Sequence, residues 1–378
     1  MSVAINGTNG ITYNDGSLQP SAIGKNLIIN GNMAIAQRAT SVTGITSAGY
    51  YTCDRWNMSN TTAGTWTQTQ DTDVPTGQGF ASSIKFDCTT ADASLAAGDQ
   101  LGLETRLEGL NCQQLAYGTA NAKSTTLSFW VKSNKTGVYT FEYYQADSDR
   151  SISQTYTISV ADTWEKKTIT IDGDTSGAIN NDNGLGLLAK WWLVAGTSWT
   201  SGTLATSWAT LSNPNRVSSS NVNLADSTSN YINVTGVQLE VNTTATPFEY
   251  LQYGQQLALC QRYFEKSVAQ EISITAVNKT SWIIPIYASS AVAGQNYGTR
   301  QFAVIKRAAP TISIYPYSTP TNIGRVSSDA GTDFGANSGI ANTTQDSGFS
   351  VVNNSGGTLT TGAGQKMFIA NWYATAEL

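Results

Sequence analysis

The chain reads as an all-β protein made of more than one unit, and three features of its 378 residues predict this. Only 12% of residues are charged and 40% are hydrophobic, while Ser, Thr, Asn and 34 glycines dominate the rest, a mixture suited to strands and turns rather than surface helices. Runs with alternating apolar residues recur between turn signals, which is the pattern of a sandwich. The 10 Trp and 17 Tyr exclude a disordered chain, because disorder goes with few aromatics and many charges. The length exceeds what one core fills.

Residues 1–25 read as a short β anchoring segment. Val3, Ile5 and Ile11 stand isolated between the turn dipeptides Asn6-Gly7, Asn9-Gly10 and Asp15-Gly16, so the segment has turns but no core of its own. It needs a neighbouring chain or a docking partner, and Ile5, Ile11 and Asp15 are its candidate anchoring residues.

Residues 26–252 read as a sandwich. Its clearest strands are 126–133, with Leu127, Phe129 and Val131 on one face, and 138–144, with Tyr139, Phe141 and Tyr143 on one face. Asn134-Lys135-Thr136-Gly137 supplies the turn between them. Further strands align Ile169 with Ile171 and Val237 with Leu239 and Val241. The Gly- and Ser-rich tract 173–229 reads as loops with short strands, and it carries Trp191, Trp192, Trp199 and Trp208.

Residues 253–378 read as a short helix followed by a second β-sandwich. Leu257, Cys260 and Phe264 share a helical face after the breaker Tyr253-Gly254. Strand-like runs follow at 271–276, 282–288, 302–305, 311–315, 348–352 and 367–374. No repeat of solenoid period is visible, which disfavours a β-helix.

The composition excludes several functions. With His 0 the chain cannot form a Ser-His-Asp triad, a Cys-His pair or a histidine metal centre, so no enzyme activity is expected and no cofactor. A net charge of -5 lacks the clustered cations that nucleic acid requires. The N-terminus has no signal-peptide pattern, and the most apolar stretch, 185–196, is interrupted by Lys190 and too short to span a bilayer, so membrane insertion is not expected. Cys53, Cys88, Cys112 and Cys260 lack metal-site spacing and read as buried free thiols.

Asp147 with Asp149 and Asp172 with Asp174 are the obvious carboxylate pairs for glycoside cleavage, but both lie in turns where Asp commonly bonds its own backbone. The same turns offer calcium only a partial ligand set. Asp54-Arg55 reads as a structural ion pair or turn, and Lys306-Arg307 as a solvated loop. Sugars are held by flat aromatic faces beside amides and carboxylates. Trp191, Trp192, Trp199 and Trp208 are candidates for that role, with Tyr287, Tyr297, Tyr315 and Tyr317 in the C-terminal part. The competing reading places Trp56, Trp130, Trp164 and most of the four in the sandwich core or on a trimer axis.

Three groups of motifs resemble a known family. Ile5-Asn6-Gly7-Thr8-Asn9-Gly10-Ile11-Thr12 with Asp15-Gly16-Ser17 is similar to a β motif of bacteriophage fibre proteins. Asn26-Leu27-Ile28-Ile29-Asn30-Gly31-Asn32, Gln37-Arg38 and Tyr51-Thr52-Cys53-Asp54-Arg55-Trp56 look like the opening of their carbohydrate-binding-module-like jelly roll. Gly236-Val237-Gln238-Leu239-Glu240-Val241, Ala245-Thr246-Pro247-Phe248-Glu249 and Leu257-Ala258-Leu259-Cys260-Gln261-Arg262-Tyr263-Phe264 resemble its close. The resemblance implies a homotrimer in the virion, made in the host cytoplasm and attached through its N-terminal segment to another virion protein. It further implies a tail fibre or receptor-binding protein that meets host surface polysaccharide. The alternative within the same family is a head fibre or capsid decoration protein.

Overall fold

The computed structural model describes residues 24–270 throughout and residues 272, 296–319, 321–328, 333, 336, 337, 340–342, 344–352 and 367–378 beyond them. Outside these it describes the short strands at 283–285, 290–291 and 359–360 and three N-terminal ones. Two compact units result: Met1–Ala34 with Ser41–Gln252 and Leu378, and Ile35–Thr40 with Tyr253–Glu377.

At the N-terminus β1 (Ala4–Asn6), β2 (Gly10–Thr12) and β3 (Leu18–Gln19) form an antiparallel sheet in which Ile5 pairs with Ile11. Asp15 lies outside the described residues.

The sandwich of the first unit is built from β4 (Ser41–Tyr50), β5 (Asn57–Asp71), β6 (Ser83–Thr90), β7 (Gln100–Glu108), β8 (Thr125–Ser133), β9 (Gly137–Gln145), β10 (Arg150–Ile158), β11 (Glu165–Ile171), β12 (Leu185–Ala195), β13 (Ala209–Thr210) and β14 (Tyr231–Glu240). Single helical turns follow β7 and β12, α1 (Gly109–Cys112) and α2 (Thr197–Thr200). One layer runs β11-β8-β14-β6-β5 and the other β5-β7-β12-β9-β10-β13. Strand β5 belongs to both: residues 57–62 pair with β7 and 65–71 with β6. The strand turns the corner where Thr62 and Gly64 adopt φ of 56° and 77°. A Cβ on Gly64 would stand 2.6 Å from the Thr90 carbonyl oxygen, so the corner needs glycine.

Period-2 alternation explains the core. Leu127, Phe129, Val131, Tyr139, Phe141 and Tyr143 are all fully buried, as the alternating runs predict. Val241 departs from its predicted row: β14 ends at Glu240, and Val241 is exposed. The tract 173–229 also departs from expectation, since it contributes the 11-residue β12 at the centre of its layer. Its largely apolar run, broken only at Lys190, hides the alternation, because this strand is covered on both faces. Trp191 packs 4.9 Å from Phe141 and 5.6 Å from both Trp56 and Phe129, ring centroid to centroid.

The motifs of the sequence form the clasp that closes this sandwich. The Asn26 side chain donates to the Val237 carbonyl at 3.1 Å and accepts the Leu239 N–H at 3.0 Å. Asn30, at φ 60°, donates to the Asp54 carbonyl at 2.9 Å while its own carbonyl accepts the Trp56 indole N–H at 2.9 Å. Gly31 is packed so tightly that a Cβ would fall 2.0 Å from the Val237 carbonyl oxygen. Glu249 accepts the N–H groups of Lys25 and Asn26, each at 2.9 Å. Asp54 and Arg55 are both buried, with Arg55 at φ 72°.

In the second unit α3 (Tyr253–Gln261) begins at Tyr253, which had read as a breaker. It buries Gln256 and Cys260, and Phe264 falls in the following strand β15 (Phe264–Lys266) rather than on the helix. Then come β16 (Ile283–Pro285), β17 (Ser290–Ala291), β18 (Asn296–Gln301), β19 (Thr311–Pro316), β20 (Ser327–Ser328), β21 (Ile340–Asn342), β22 (Gly348–Val352), β23 (Leu359–Thr360) and β24 (Met367–Thr375). β24 pairs with β15, β16, β19 and β20, while β18-β22-β21 and β17-β23 form further sheets. Ile314, Val326, Phe349, Val351, Ala370, Trp372 and Ala374 make the core. Residues 302–305 are not a strand, and 273–276 lie outside the described residues.

Gln37 donates to the Phe264 carbonyl at 2.7 Å, and Arg38 sits 3.8 Å over the Phe264 ring while pairing with Glu377 at 3.0 Å. Lys306 is buried rather than solvated. Its ammonium meets Glu265 at 2.5 Å and the carbonyls of Gln261 and Val304 at 2.7 and 2.9 Å, partners that let a charge leave water. All four cysteines are buried and outside any disulfide, and burial pushes the Cys88 and Cys112 thiols up to about 11 and about 12.

Candidate functional site

The sequence singled out aromatic residues, and the fold distributes them to different places. Trp191 has no exposed face, being enclosed in the core. Trp208 is half-buried, stacked on Tyr143 with ring centroids 6.4 Å apart and planes 8° apart, and it donates its N–H to the Asp172 carbonyl at 2.7 Å. Trp192 and Trp199 come together at 5.5 Å on the outer face of β12, opposite Trp191, as alternation requires. In the second unit Tyr315 and Tyr317 are buried. Tyr297 lies on β18 with its side chain outside the described residues, and Tyr287 lies outside them altogether.

The Trp192 face is a closed polar network. Cross-strand register places Glu104, Lys190 and Glu142 side by side on β7, β12 and β9. Lys190 pairs with Glu104 at 3.1 Å, and Arg216 grips Glu142 through two bonds of 2.7 and 3.0 Å. The Trp192 N–H donates to Glu142 at 2.8 Å, and Lys190 and Arg216 lie 3.7 and 5.2 Å from the Trp192 ring. Burial opposes the charge on Glu104, yet Lys190 and Arg106 hold its carboxyl below the usual range. Burial pulls the Lys190 ammonium below its ordinary value. Trp192 is fully buried here, so this face holds its own charges together and offers its aromatic ring to no ligand.

The carboxylate pairs are likewise engaged. Asp174 takes two bonds from Arg150, at 2.6 and 3.1 Å, and one from the Ser176 N–H at 3.0 Å. Asp147 accepts the Asn180 backbone and side-chain N–H groups at 3.0 and 2.8 Å. Asp172 accepts the Ser124 hydroxyl at 3.0 Å and Asp149, at φ 48°, the Tyr144 hydroxyl at 3.2 Å. Among the described residues no group of three or more His, Cys, Asp or Glu side chains is placed to hold a metal ion.

An open pocket of about 470 Å³ lies elsewhere, on the outer face of β11, β8 and β14. Its floor is Trp130 and Ser128 of β8 with Lys166 of β11, which pairs directly with Trp130 across the sheet. Its wall is a cluster of Phe80, Phe248 and Tyr250, with centroids 4.9–5.7 Å apart. Gly236, at φ 60° in the bulge of β14, lets Phe80 settle on the sheet: a Cβ there would meet the Phe80 ring at 2.5 Å. Gln78 and Thr246 add polar edges, and the Tyr250 hydroxyl donates to the Gln78 carbonyl.

The competing reading places Trp130 in the sandwich core or on a trimer axis, and it is not in the core. Its position between the buried Phe129 and Val131 is the signal that turns it outward. Phe80, Phe248 and Tyr250 come from loops without periodicity, so only the fold gathers them.

No protein-family model matches the chain, and no curated protein matches it in sequence. Similar solved structures include a putative sugar binding protein from Bacteroides thetaiotaomicron, at 14% identity and a TM-score of 0.32, covering 58% of this chain and 100% of that one. The enzymatically active domain of bacteriophage CBA120 tailspike protein 4 is similar at 13% identity and a TM-score of 0.30. That likeness covers 57% of this chain, which spans only 21% of the tailspike chain. A family 11 carbohydrate-binding module from Clostridium thermocellum, in complex with a mixed-linked tetrasaccharide, is similar at 12% identity and a TM-score of 0.26, covering 55% and 99%. Likenesses at this level do not decide a function.

Proposed function

We propose that this chain is a non-catalytic, glycan-binding subunit of a bacteriophage fibre, a tail fibre or receptor-binding protein that attaches to host surface polysaccharide. The observation that carries the reading is the open pocket with Trp130 and Ser128 on its floor, Phe80, Phe248 and Tyr250 on its wall, and the polar residues Gln78 and Thr246 at its edges. Flat aromatic faces cover the C–H side of a pyranose while such polar groups bond its hydroxyls. The engaged carboxylates and the absence of histidine favour binding over cleavage. The virion assignment rests on the N-terminal motif and the fibre-like clasp sequences.

Screening the intact chain against an array of bacterial surface glycans is expected to find ligands, and Trp130→Ala is expected to weaken their binding by about tenfold or more. Because Trp130 is half-buried and outside the core, this variant is expected to melt much closer to the parent than loss of a core tryptophan would allow. Undiminished binding by Trp130→Ala would move the site away from this pocket.

The homotrimer is proposed from the small N-terminal sheet, whose edges three-fold packing would cover. Light scattering should give three times the 40.2 kDa chain mass, and gold label should mark the tail of intact particles. A single-chain mass would remove the trimer, and label over the head would favour a head fibre or decoration protein.

A further inference from the structure

The charge inside the pocket narrows its ligand, an inference that rests on the glycan-binding reading above. Among the described residues Lys166 is the one charged residue of the lining, and none of the lining is acidic. Three lysines of the same unit are tied down, Lys132 to Asp73 at 2.7 Å, Lys167 to Glu165 at 2.5 Å and Lys190 to Glu104 at 3.1 Å, but none of these lines the pocket. Among the described residues the Lys166 side chain has neither a hydrogen-bond nor an ion-pair partner, and it is exposed at the strand position directly across from Trp130. In a chain of net charge -5, an exposed ammonium with no acidic partner in an aromatic-lined pocket offers a place for an anion.

We propose that the pocket is selective for an acidic sugar, a uronic or sialic acid residue whose ring lies on Trp130 and whose carboxylate accepts a charge-assisted hydrogen bond from the Lys166 ammonium. Trp130 supplies affinity common to pyranoses, and Lys166 supplies the choice of the anionic ones. Lys166 projects from a strand rather than a loop, so the sheet fixes where its stem starts relative to Trp130.

The test uses matched pairs of immobilised oligosaccharides, glucuronate, galacturonate and sialic acid, each as free acid and as its neutral methyl ester. The intact chain is expected to bind the free acid of at least one pair about tenfold more tightly than its ester, with the preference shrinking as salt is raised. Lys166→Gln is expected to abolish the preference, the acid and its ester binding alike, and Trp130→Ala to weaken both forms. Equal binding of acid and ester by the parent chain, or a preference that survives in Lys166→Gln, overturns the acidic-sugar inference and leaves the glycan pocket standing. Selective binding of neutral glycans, with no acid bound, does the same. Binding of no glycan of either kind overturns both.

Discussion

Glu142→Ala is expected to destabilise the first unit by about 3–5 kcal/mol, because it strips a buried ion pair of one partner. Glu142 is wholly buried and accepts both Arg216 bonds and the Trp192 N–H, so its removal leaves a guanidinium and an indole N–H without their acceptor. Arg216 retains 15% of its side-chain exposure and can recover some hydration, which favours the lower end of that range. A urea midpoint unchanged within error would show the network to be dispensable. The double variant Glu142→Leu with Arg216→Met is expected to recover part of the loss, since removing both charges also removes their desolvation cost.

The same network gives the stability an acid limb. Burial disfavours the charged form of Glu104, but Lys190 and Arg106 outweigh it and hold its folded pKa below the ordinary 4.5. The unfolded chain therefore binds the proton first as pH falls, and the stabilisation, complete above the ordinary carboxylate range, is lost through and below it.

Trp191→Ala is the second large effect, about 3–5 kcal/mol, from lost burial plus the cavity left among Trp56, Phe129 and Phe141. For a unit of this size that corresponds to a fall of roughly 6–20 °C in melting temperature. Trp130→Ala, on the same kind of strand but the other face, should cost binding and little stability. The two variants together separate a structural tryptophan from a ligand-facing one. A Trp191→Ala protein that melts normally yet loses glycan binding would reverse the assignment.

Much of the architecture was legible without coordinates. Local alternation placed Leu127, Phe129, Val131, Tyr139, Phe141 and Tyr143 in the core, because a strand with one buried face repeats every two residues. Strand β12 was not legible in that way: both of its faces are covered, one by the core and one by the charged network, so its sequence carries no alternation. The breaks in expectation at 302–305 and at Tyr253 came where propensity alone was being read, with no neighbouring strand to decide pairing.

The site divides along the same line. Composition alone removed histidine chemistry and pointed to aromatic recognition, and the clasp motifs could be picked out as units before their bonds were known. Which tryptophan meets solvent was a tertiary decision. Trp191 and Trp192 are adjacent in sequence and point to opposite faces, one into the core and one under Lys190 and Arg216. The pocket joins Phe80, Trp130, Lys166 and Tyr250 across 170 residues of chain, and no local rule links positions so far apart. Period and propensity act over a few residues, whereas a binding surface is made by the register of strands and the loops beside them.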